Sequence, residues 1–251
     1  MARSVLTTDR SGVRTLTLNR PARLNALNRE LLADLCTALD DALTDEKVGA
    51  LVLRGAGRAF CSGDDLKDFE DQAIDEAATR SFIISIQEVT RRIVLGDKFV
   101  VGAIHGWAVG GGLEWVINCD LAVFAENTKC FFPEIKWGMF PTGGVTAILP
   151  RIIGLTKTRE LMLFGETFGA AEALEMGLAW KVVSDDIAFE TAHAAAEQIA
   201  ALPRGAVRDL KRVLSRAGSL DVEGALKAET EATIRGFLDP GTVERVRRFG
   251  H

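Results

Sequence analysis

The sequence of 251 residues has few of the side chains that usually bind metals or form disulfide bonds. Its three histidines are scattered, which argues against a zinc site. Its cysteines show no close-paired metal spacing and no secretory context, so we expect reduced thiols in a cytoplasmic protein. These cysteines are Cys36, Cys61, Cys119 and Cys130. No metal is therefore expected.

Long hydrophobic runs and an excess of positive charge are also missing. The apolar run over residues 100–109 is short and is interrupted by glycine and His105, so it falls well below the length of a membrane span. The formal net charge of −5 argues against a general nucleic-acid binder. The basic cluster of Arg245, Arg247 and Arg248 is too short to reverse this and is interpreted as a solvated helix face. We therefore expect neither a membrane nor a nucleic acid as a partner.

The first half of the sequence alternates strand and helix patterns, which predicts an α/β fold with a large buried core. Asn28 is predicted to cap a helix whose leucines recur at helical spacing. Residues 57–66 are predicted to form a loop and residues 67–80 a mobile surface segment, followed by a helix over 81–95. Strands are predicted at residues 4–8, 13–18, 50–54, 100–104 and 121–125.

The second half is mostly helical beyond Arg151, with one strand-like stretch at residues 178–183. No linker of low complexity separates this part, so we interpret it as a C-terminal helical layer or subdomain. Helices are predicted at residues 170–177, 188–201, 205–216 and 221–236.

Residues 110–112 are three consecutive glycines, placed between an apolar run and a helical pattern that begins at Leu113. This order predicts a strand, a tight turn and a helix N-terminus. The N–H groups of such a terminus have no helical acceptor and can hold a developing negative charge. Glu114 lies in the first turn, and Glu134 follows a second strand and a short extended stretch at 130–132. Two carboxylates near an anion-binding turn indicate acid/base chemistry beside a stabilised oxyanion.

Four segments, residues 19–27, 59–66, 104–120 and 132–144, resemble in their order those of the crotonase (enoyl-CoA hydratase/isomerase) superfamily. The resemblance covers nearly the full length. It implies a spiral of ββα units, which we assign to residues 1–195, followed by a C-terminal helical region, residues 196–251, that mediates trimer contacts. Trimers often pair into hexamers in this family, so a homotrimer or a dimer of trimers is expected.

The resemblance implies that the backbone N–H groups of Asp64 and Gly111 form an oxyanion hole for the thioester carbonyl of an acyl-CoA. Asp64 is an unusual occupant, because the family more often has a small or apolar residue there. Its carboxylate must point away from the developing enolate or be neutralised; otherwise it would oppose the charge being stabilised.

Glu114 and Glu134 match the two glutamates of the family's hydratases. The resemblance implies that both hold one water, that Glu134 helps to deliver a proton to C2, and that Glu114 orients the water and deprotonates it as it attacks C3. Retention of both favours a 2-enoyl-CoA hydratase that makes 3-hydroxyacyl-CoA. Coenzyme A is then part of the substrate, and no metal or redox cofactor is implied.

The resemblance also implies a set of residues around the adenine and pantetheine of CoA. The basic members of this set can meet the phosphates, although each is also explained as ordinary surface charge. The set is Arg23, Leu24, Ala26, Arg58, Ala59, Ser62, Gly63, Asp65, Leu66 and Lys67.

Trp107, Trp137 and Phe140 are, as residue types, typical of a core. Trp137 and Phe140 follow Glu134 and could instead shape the acyl pocket. Thr142 stands where the family usually has a glycine, in a turn that closes over the reacting carbons. These three positions, Trp137, Phe140 and Thr142, leave open a bulky, aromatic or functionalised acyl group.

Other activities stay open at this point. A Δ3-Δ2 enoyl-CoA isomerase or an acyl-CoA hydrolase/lyase needs the same oxyanion hole with a different proton relay. A non-catalytic acyl-CoA-binding protein is the alternative of another class, although binding alone does not need two acids. The acidic residues 68–76 are a hypothetical lid.

Overall fold

A six-stranded sheet forms the larger layer of the fold in the computed structural model, which describes residues 3–67 and 74–249. The first two strands are antiparallel, and each later strand runs parallel to its neighbour. The strands, in spatial order, are β1 (Val5–Arg10), β2 (Val13–Leu18), β3 (Ala50–Gly55), β5 (Val100–Ile104), β7 (Leu121–Ala125) and β10 (Lys181–Val183).

A second sheet of four short strands lies at the ends of these strands. Three of its strands are parallel, and the last pairs antiparallel. Its strands, in spatial order, are β4 (Ala59–Cys61), β6 (Trp107–Val109), β8 (Lys129–Phe131) and β9 (Phe168–Gly169). The pairs β3–β4, β5–β6 and β7–β8 each place one strand in each sheet before the chain turns into a helix. This repetition is the predicted spiral of ββα units.

The described residues also contain ten α-helices. Short 3-10 helices lie before three of them, at Pro21–Arg23, Glu134–Trp137 and Ala217–Ser219. The α-helices are α1 (Arg29–Thr44), α2 (Glu76–Leu95), α3 (Gly111–Asn118), α4 (Val145–Ile153), α5 (Leu155–Phe164), α6 (Ala170–Glu175), α7 (Ala188–Ala200), α8 (Arg204–Leu214), α9 (Val222–Leu238) and α10 (Pro240–Phe249).

The central strands are buried on both faces, because helices cover each side of the large sheet. In β3, Leu51 and Leu53 face the core cluster that includes α1 and α2, whereas Ala50 and Val52 face α7. Alternate residues of a strand point to opposite faces, so a parallel sheet covered on both sides consists mainly of apolar residues. No helix among the described residues has both the length and the apolar character to cross a membrane.

Several boundaries differ from the sequence predictions. The helix predicted at 81–95 begins at Glu76, because the side chain of Asp75 caps it by accepting a hydrogen bond from the N–H of Ala78. The predicted loop at 57–66 contains strand β4, which is too short to show a periodic pattern. The cap at Asn28 is confirmed, since its side chain accepts from the N–H of Leu31. Of the hypothetical lid, residues 68–73 lie outside the described residues, and Glu76 already belongs to α2.

The C-terminal helices join the core through a buried lysine. Lys211 of α8 is 1% exposed, and its ammonium group donates to the carbonyl oxygens of Ile93 and Lys98 and to Asp120 Oδ2. The same Asp120 oxygen accepts the N–H of Val100 at the start of β5. The ammonium group of Lys211 thus links α8 to α2 and to the segments that lead into β5 and β7. The predicted division at residues 195/196 stays a prediction; position 195 lies inside α7, which packs against β3, β5 and β7.

We expect Lys211→Met to lower the free energy of unfolding by about 3–5 kcal/mol, because it leaves a buried carboxylate without its counterion. The adjacent Arg212→Met is the matched control. Arg212 forms an exposed pair with Asp97, so its loss should cost no more than about 1 kcal/mol. Urea unfolding measures both, and equal effects of the two substitutions would contradict the assigned role of Lys211.

Candidate active site

The glycine turn after β6 places the start of α3 beside Glu134. Gly110 has φ 51° and ψ −123°, a conformation that favours glycine, and its N–H donates to the carbonyl of Phe131. A Cβ atom on Gly110 would stand 2.6 Å from Glu134 Oε1. Gly110 therefore allows both the turn and the approach of the carboxyl group. The predicted strand, turn and helix are confirmed, with the unpredicted short strand β6 directly before the turn.

Glu114 lies on α3, a helix that is buried along its whole length. Its carboxylate accepts the N–H of Thr142 at 3.2 Å and the N–H of Gly143. Burial raises the pKa of Glu114 to about 7, while the two N–H donors act in the opposite direction and the charge of Asp64 adds to the rise. Glu114 is thus a buried acid whose charged form is favoured by two hydrogen bonds.

Asn118 is a supporting residue that the sequence analysis missed. It follows Glu114 by one turn of α3, is buried, and donates to the carbonyl of Gly143 and to the hydroxyl of Thr90. Gly143 therefore accepts from Asn118 at its carbonyl oxygen and donates its N–H to Glu114. An asparagine four residues after the glutamate in an otherwise apolar helix is the signal that could have indicated this role.

Glu134 begins the 3-10 helix that follows β8, and its side chain is also buried. Burial raises its pKa to about 7, against the effect of its own backbone N–H, and the charges of Glu114 and Asp64 add to the rise. Its Oε2 atom has no hydrogen-bond partner among the described residues. Because nothing compensates a charge on that oxygen, the protonated form of Glu134 is favoured.

The backbones of Asp64 and Gly111 meet at the same place. Asp64 forms an isolated parallel bridge with Leu27, in which Leu27 N–H donates to Gly63 and Asp65 N–H donates to Leu27. Neither of these hydrogen bonds uses the N–H of Asp64. Gly111 is the first residue of α3, so its N–H has no acceptor within the helix. Such N–H groups can bind an oxygen that carries negative charge.

These groups surround one cavity with a volume of about 280 Å³. Its apolar lining comes from α2 and from the segment after Glu134, and three carboxyl groups also line it. The lining residues are Asp64, Thr79, Phe82, Ile83, Ile86, Gly111, Glu114, Glu134, Met139, Phe140 and Thr142. The structure therefore brings together Asp64, Gly111 and the two predicted glutamates.

Backbone hydrogen bonds hold the two segments predicted to bind CoA against each other. Ser62 N–H donates to the carbonyl of Leu24, and the bridge between Leu27 and Asp64 lies immediately beyond it. Leu24 has a left-handed φ of 50° and Gly63 one of 80°, so both segments turn sharply here. Ala26 and Ala59 are buried beneath this junction.

Arg23 and Asp65 form an ion pair instead of lying apart. Asp65 is buried and accepts hydrogen bonds from Arg20 and Arg23. Burial acts to raise the pKa of Asp65, but the two guanidinium groups hold it below its ordinary value. Asp65 therefore holds the loop in place. Arg23 makes a structural ion pair, and its binding of a CoA phosphate stays a prediction.

The remaining predicted binding residues differ in exposure. Leu66 and Lys67 are exposed on the loop that bears Asp64, and Arg58 is exposed just before β4. Trp137 is 53% exposed and lies outside the set of described residues that line the cavity, whereas Phe140, 69% exposed, belongs to that set.

The general expectation that tryptophan and phenylalanine at these positions lie in the core is wrong for all three. Trp107 is 37% exposed and packs edge-on against Phe131, and Trp137 and Phe140 are more exposed still.

Within residues 3–67 and 74–249, no group of histidine, cysteine, aspartate and glutamate side chains is arranged to hold a metal ion.

Comparisons with known proteins show the family of the chain. A family model described as enoyl-CoA hydratase/isomerase matches residues 8–240. The chain is 34% identical to a short-chain-enoyl-CoA hydratase of Clostridium acetobutylicum, over 88% of this chain and 84% of that protein. It is 32% identical to a 1,2-epoxyphenylacetyl-CoA isomerase of Escherichia coli, over 92% of this chain and 89% of that protein.

Solved structures give the same result. The crystal structure of an enoyl-CoA hydratase from Bacillus anthracis superposes with a TM-score of 0.93 at 30% identity, covering 98% of this chain and 96% of that chain. A putative enoyl-CoA hydratase from Streptomyces coelicolor superposes with a TM-score of 0.94 at 29% identity, covering 100% of this chain and 92% of that chain.

We expect Glu134→Gln to stabilise the protein at high pH and not at low pH. Folding raises the pKa of Glu134 from 4.5 to about 7, so the free energy of unfolding falls as the pH rises through that range. Removing the charge should therefore raise the free energy of unfolding by about 1–3 kcal/mol at pH 8, with little gain at pH 4.

Urea unfolding at both pH values measures this effect. The exposed Glu231→Gln is the control and should change stability by less than about 0.5 kcal/mol at either pH. An equal gain at pH 4 and pH 8 would show that the effect of Glu134→Gln does not come from its charge.

Proposed function

The chain belongs to the enoyl-CoA hydratase/isomerase family, the crotonase superfamily, and on this basis we propose that it adds water across the 2,3 double bond of a 2-enoyl-CoA thioester. The observation that carries the proposal is the pair Glu114 and Glu134. Both are buried at one cavity, and burial raises both pKa values to about 7. At neutral pH one of the pair can accept a proton while the other gives one.

The surroundings of the two acids support different roles. Glu114 accepts two backbone N–H groups, which favour the carboxylate, so we assign it as the base that takes a proton from the attacking water. Glu134 has an oxygen without a partner among the described residues, which favours the protonated acid. We assign Glu134 as the donor of the proton to C2.

Electrons and protons balance in this step. The water oxygen forms a bond to C3 as one of its O–H bonds breaks and the proton passes to Glu114. The electron pair of the double bond moves through C2 to the thioester oxygen, where the N–H groups of Asp64 and Gly111 stabilise the enolate. The pair then returns to form a C–H bond at C2 with the proton of Glu134. A proton exchange with solvent restores both acids.

The cavity suggests the type of acyl group. Its volume of about 280 Å³ is small, and its apolar wall consists of Phe82, Ile83 and Ile86 together with Met139 and Phe140. We propose a short acyl or small aryl group in it. Arg58 and Lys67, exposed before and after the stretch that contains β4 and Asp64, are proposed to meet the CoA phosphates with Arg23.

An isomerase is the second candidate, because the matching family model is described as enoyl-CoA hydratase/isomerase and one similar protein is named 1,2-epoxyphenylacetyl-CoA isomerase. Moving a double bond needs one acid to take a proton and return it at another carbon, and Glu134 alone could do this beside the same N–H groups.

The test is turnover of a panel of short, long, branched and aryl 2-enoyl-CoA and 3-enoyl-CoA thioesters, followed by mass spectrometry. We expect the wild type to add one water, and Glu114→Gln to lose at least about 10²-fold in kcat because the base is gone. Double-bond migration that survives in Glu114→Gln would favour the isomerase. CoA release would indicate a hydrolase or lyase, and binding without any turnover a non-catalytic role.

We also propose that the chain forms a homotrimer or a dimer of trimers through its C-terminal helices. Helix α9 has no buried residue in the isolated chain, and its end exposes Phe237 and Leu238 at 77% and 76%. Val222 at the start of α9 and Val246 on α10 are also exposed, at 75% and 65%. Exposed apolar patches of this kind mark interaction sites.

Sedimentation equilibrium should give three or six times the mass of the chain. Phe237→Asp should shift the population toward monomer, because a charge would be buried in the contact, whereas the exposed Glu223→Gln should leave it unchanged. A monomeric wild type would contradict the proposed assembly.

A further inference from the structure

The side chain of Asp64 faces the reacting cavity. It lines this cavity with Gly111, Glu114 and Glu134. Its Oδ1 atom lies 3.8 Å from the point where a Cβ atom on Gly111 would stand. The two residues whose N–H groups are proposed to bind the thioester oxygen therefore also bring a carboxyl group next to it. Of the two alternatives that the sequence left for Asp64, the geometry rules out a carboxyl that points away.

No cationic side chain lines the cavity beside Asp64 among the described residues. Helix α2 presents apolar side chains and Thr79, whose hydroxyl donates to the carbonyl of Asp75. The charged groups that line the cavity with it are Glu114 from α3 and Glu134 from the 3-10 helix. On the segment before α1, Arg20 and Arg23 bind the neighbouring Asp65.

We propose that Asp64 is a third functional carboxyl group of this site and that turnover requires it to be protonated. The inference rests on the proposed enolate chemistry. A carboxylate beside the thioester oxygen would repel the charge that the N–H groups stabilise. The neutral acid removes this repulsion. The proton stays on Asp64 throughout the reaction, so Glu114 and Glu134 still carry all proton transfer.

The consequence is a loss of activity above the pH at which Asp64 ionises. Burial raises its pKa to about 6, below the value of about 7 for both glutamates, so Asp64 loses its proton first as the pH rises. At alkaline pH, turnover by the wild type should then require a proton on Asp64 that a variant unable to ionise at this position does not require.

The test compares the pH dependence of kcat/KM between pH 5 and 9 for the wild type and Asp64→Asn, using the best enoyl-CoA of the panel. We expect the ratio of Asp64→Asn to wild type to rise above pH 6, approaching tenfold for each further pH unit, as the titration of one proton requires. Asp64→Ala, which also lacks the charge, should show the same rise. Asp64→Glu keeps a carboxyl group and should keep the titration, so its ratio to wild type, whatever its size, should vary by no more than about threefold with pH over this range.

Each other outcome overturns the inference in a distinct way. A ratio that does not change with pH for either neutral variant would show that Asp64 has no titrating role in turnover. A ratio that falls with pH would show that its charge serves the reaction by keeping a glutamate protonated. In both cases the proposed hydration would stand, because the wild type turns over. Absence of any enoyl-CoA turnover by the wild type would instead overturn the proposed function, and this inference with it.

Discussion

The burial of several carboxyl groups around one small cavity is the constraint on which the site depends. Asp64, Glu114 and Glu134 all line this cavity, and burial is the main cause that raises the pKa of each. Charges of the same sign around one cavity also oppose one another, so each ionised carboxyl group makes ionisation of the others less favourable. The site therefore retains protons near neutrality, which a site that must both take and give a proton needs. The rest of the local structure serves to bring these groups together without filling the space between them.

The buried carboxyl groups of this protein fall into two kinds. Asp65 binds two arginines and Asp120 binds Lys211, and each pair joins segments that are distant in sequence. Asp64, Glu114 and Glu134 have no such cationic partner among the described residues, and they are the ones that face the cavity. Because an uncompensated buried charge costs stability, such groups are concentrated where function needs them. Asp64 and Asp65 show the difference most clearly: they are adjacent in the chain, yet burial raises the pKa of the first while arginines lower that of the second.

The sequence predicts much of the fold because long elements repeat their apolar residues with a clear period. The cap at Asn28, the strands at 13–18 and 100–104 and the turn at residues 110–112 all follow from local patterns. The short strands β4 and β6 escape such patterns, since three residues do not define a period. Exposure of Trp137 and Phe140 could not be predicted either, because residue type indicates burial only on average and their position depends on the 3-10 helix and the turn that follow β8.

The same limit applies to the reason for the glycines at the site. Their sequence pattern indicates a backbone that a ligand can approach closely, but the space that they leave is occupied by the protein itself. Gly110 admits the carboxyl of Glu134, and Gly143 admits that of Glu114 and also donates its N–H to it. These contacts join residues 24 and 29 positions apart, so only the folded structure reveals them. Asn118, on the same helix as Glu114, donates to the carbonyl of Gly143. Helix α3 therefore positions Glu114 in two ways, through its own backbone and through the turn that carries Gly143. A carboxyl group fixed in this way would lose little freedom on acting as the proposed base, and this pre-organisation is what Gly143 and Asn118 would contribute.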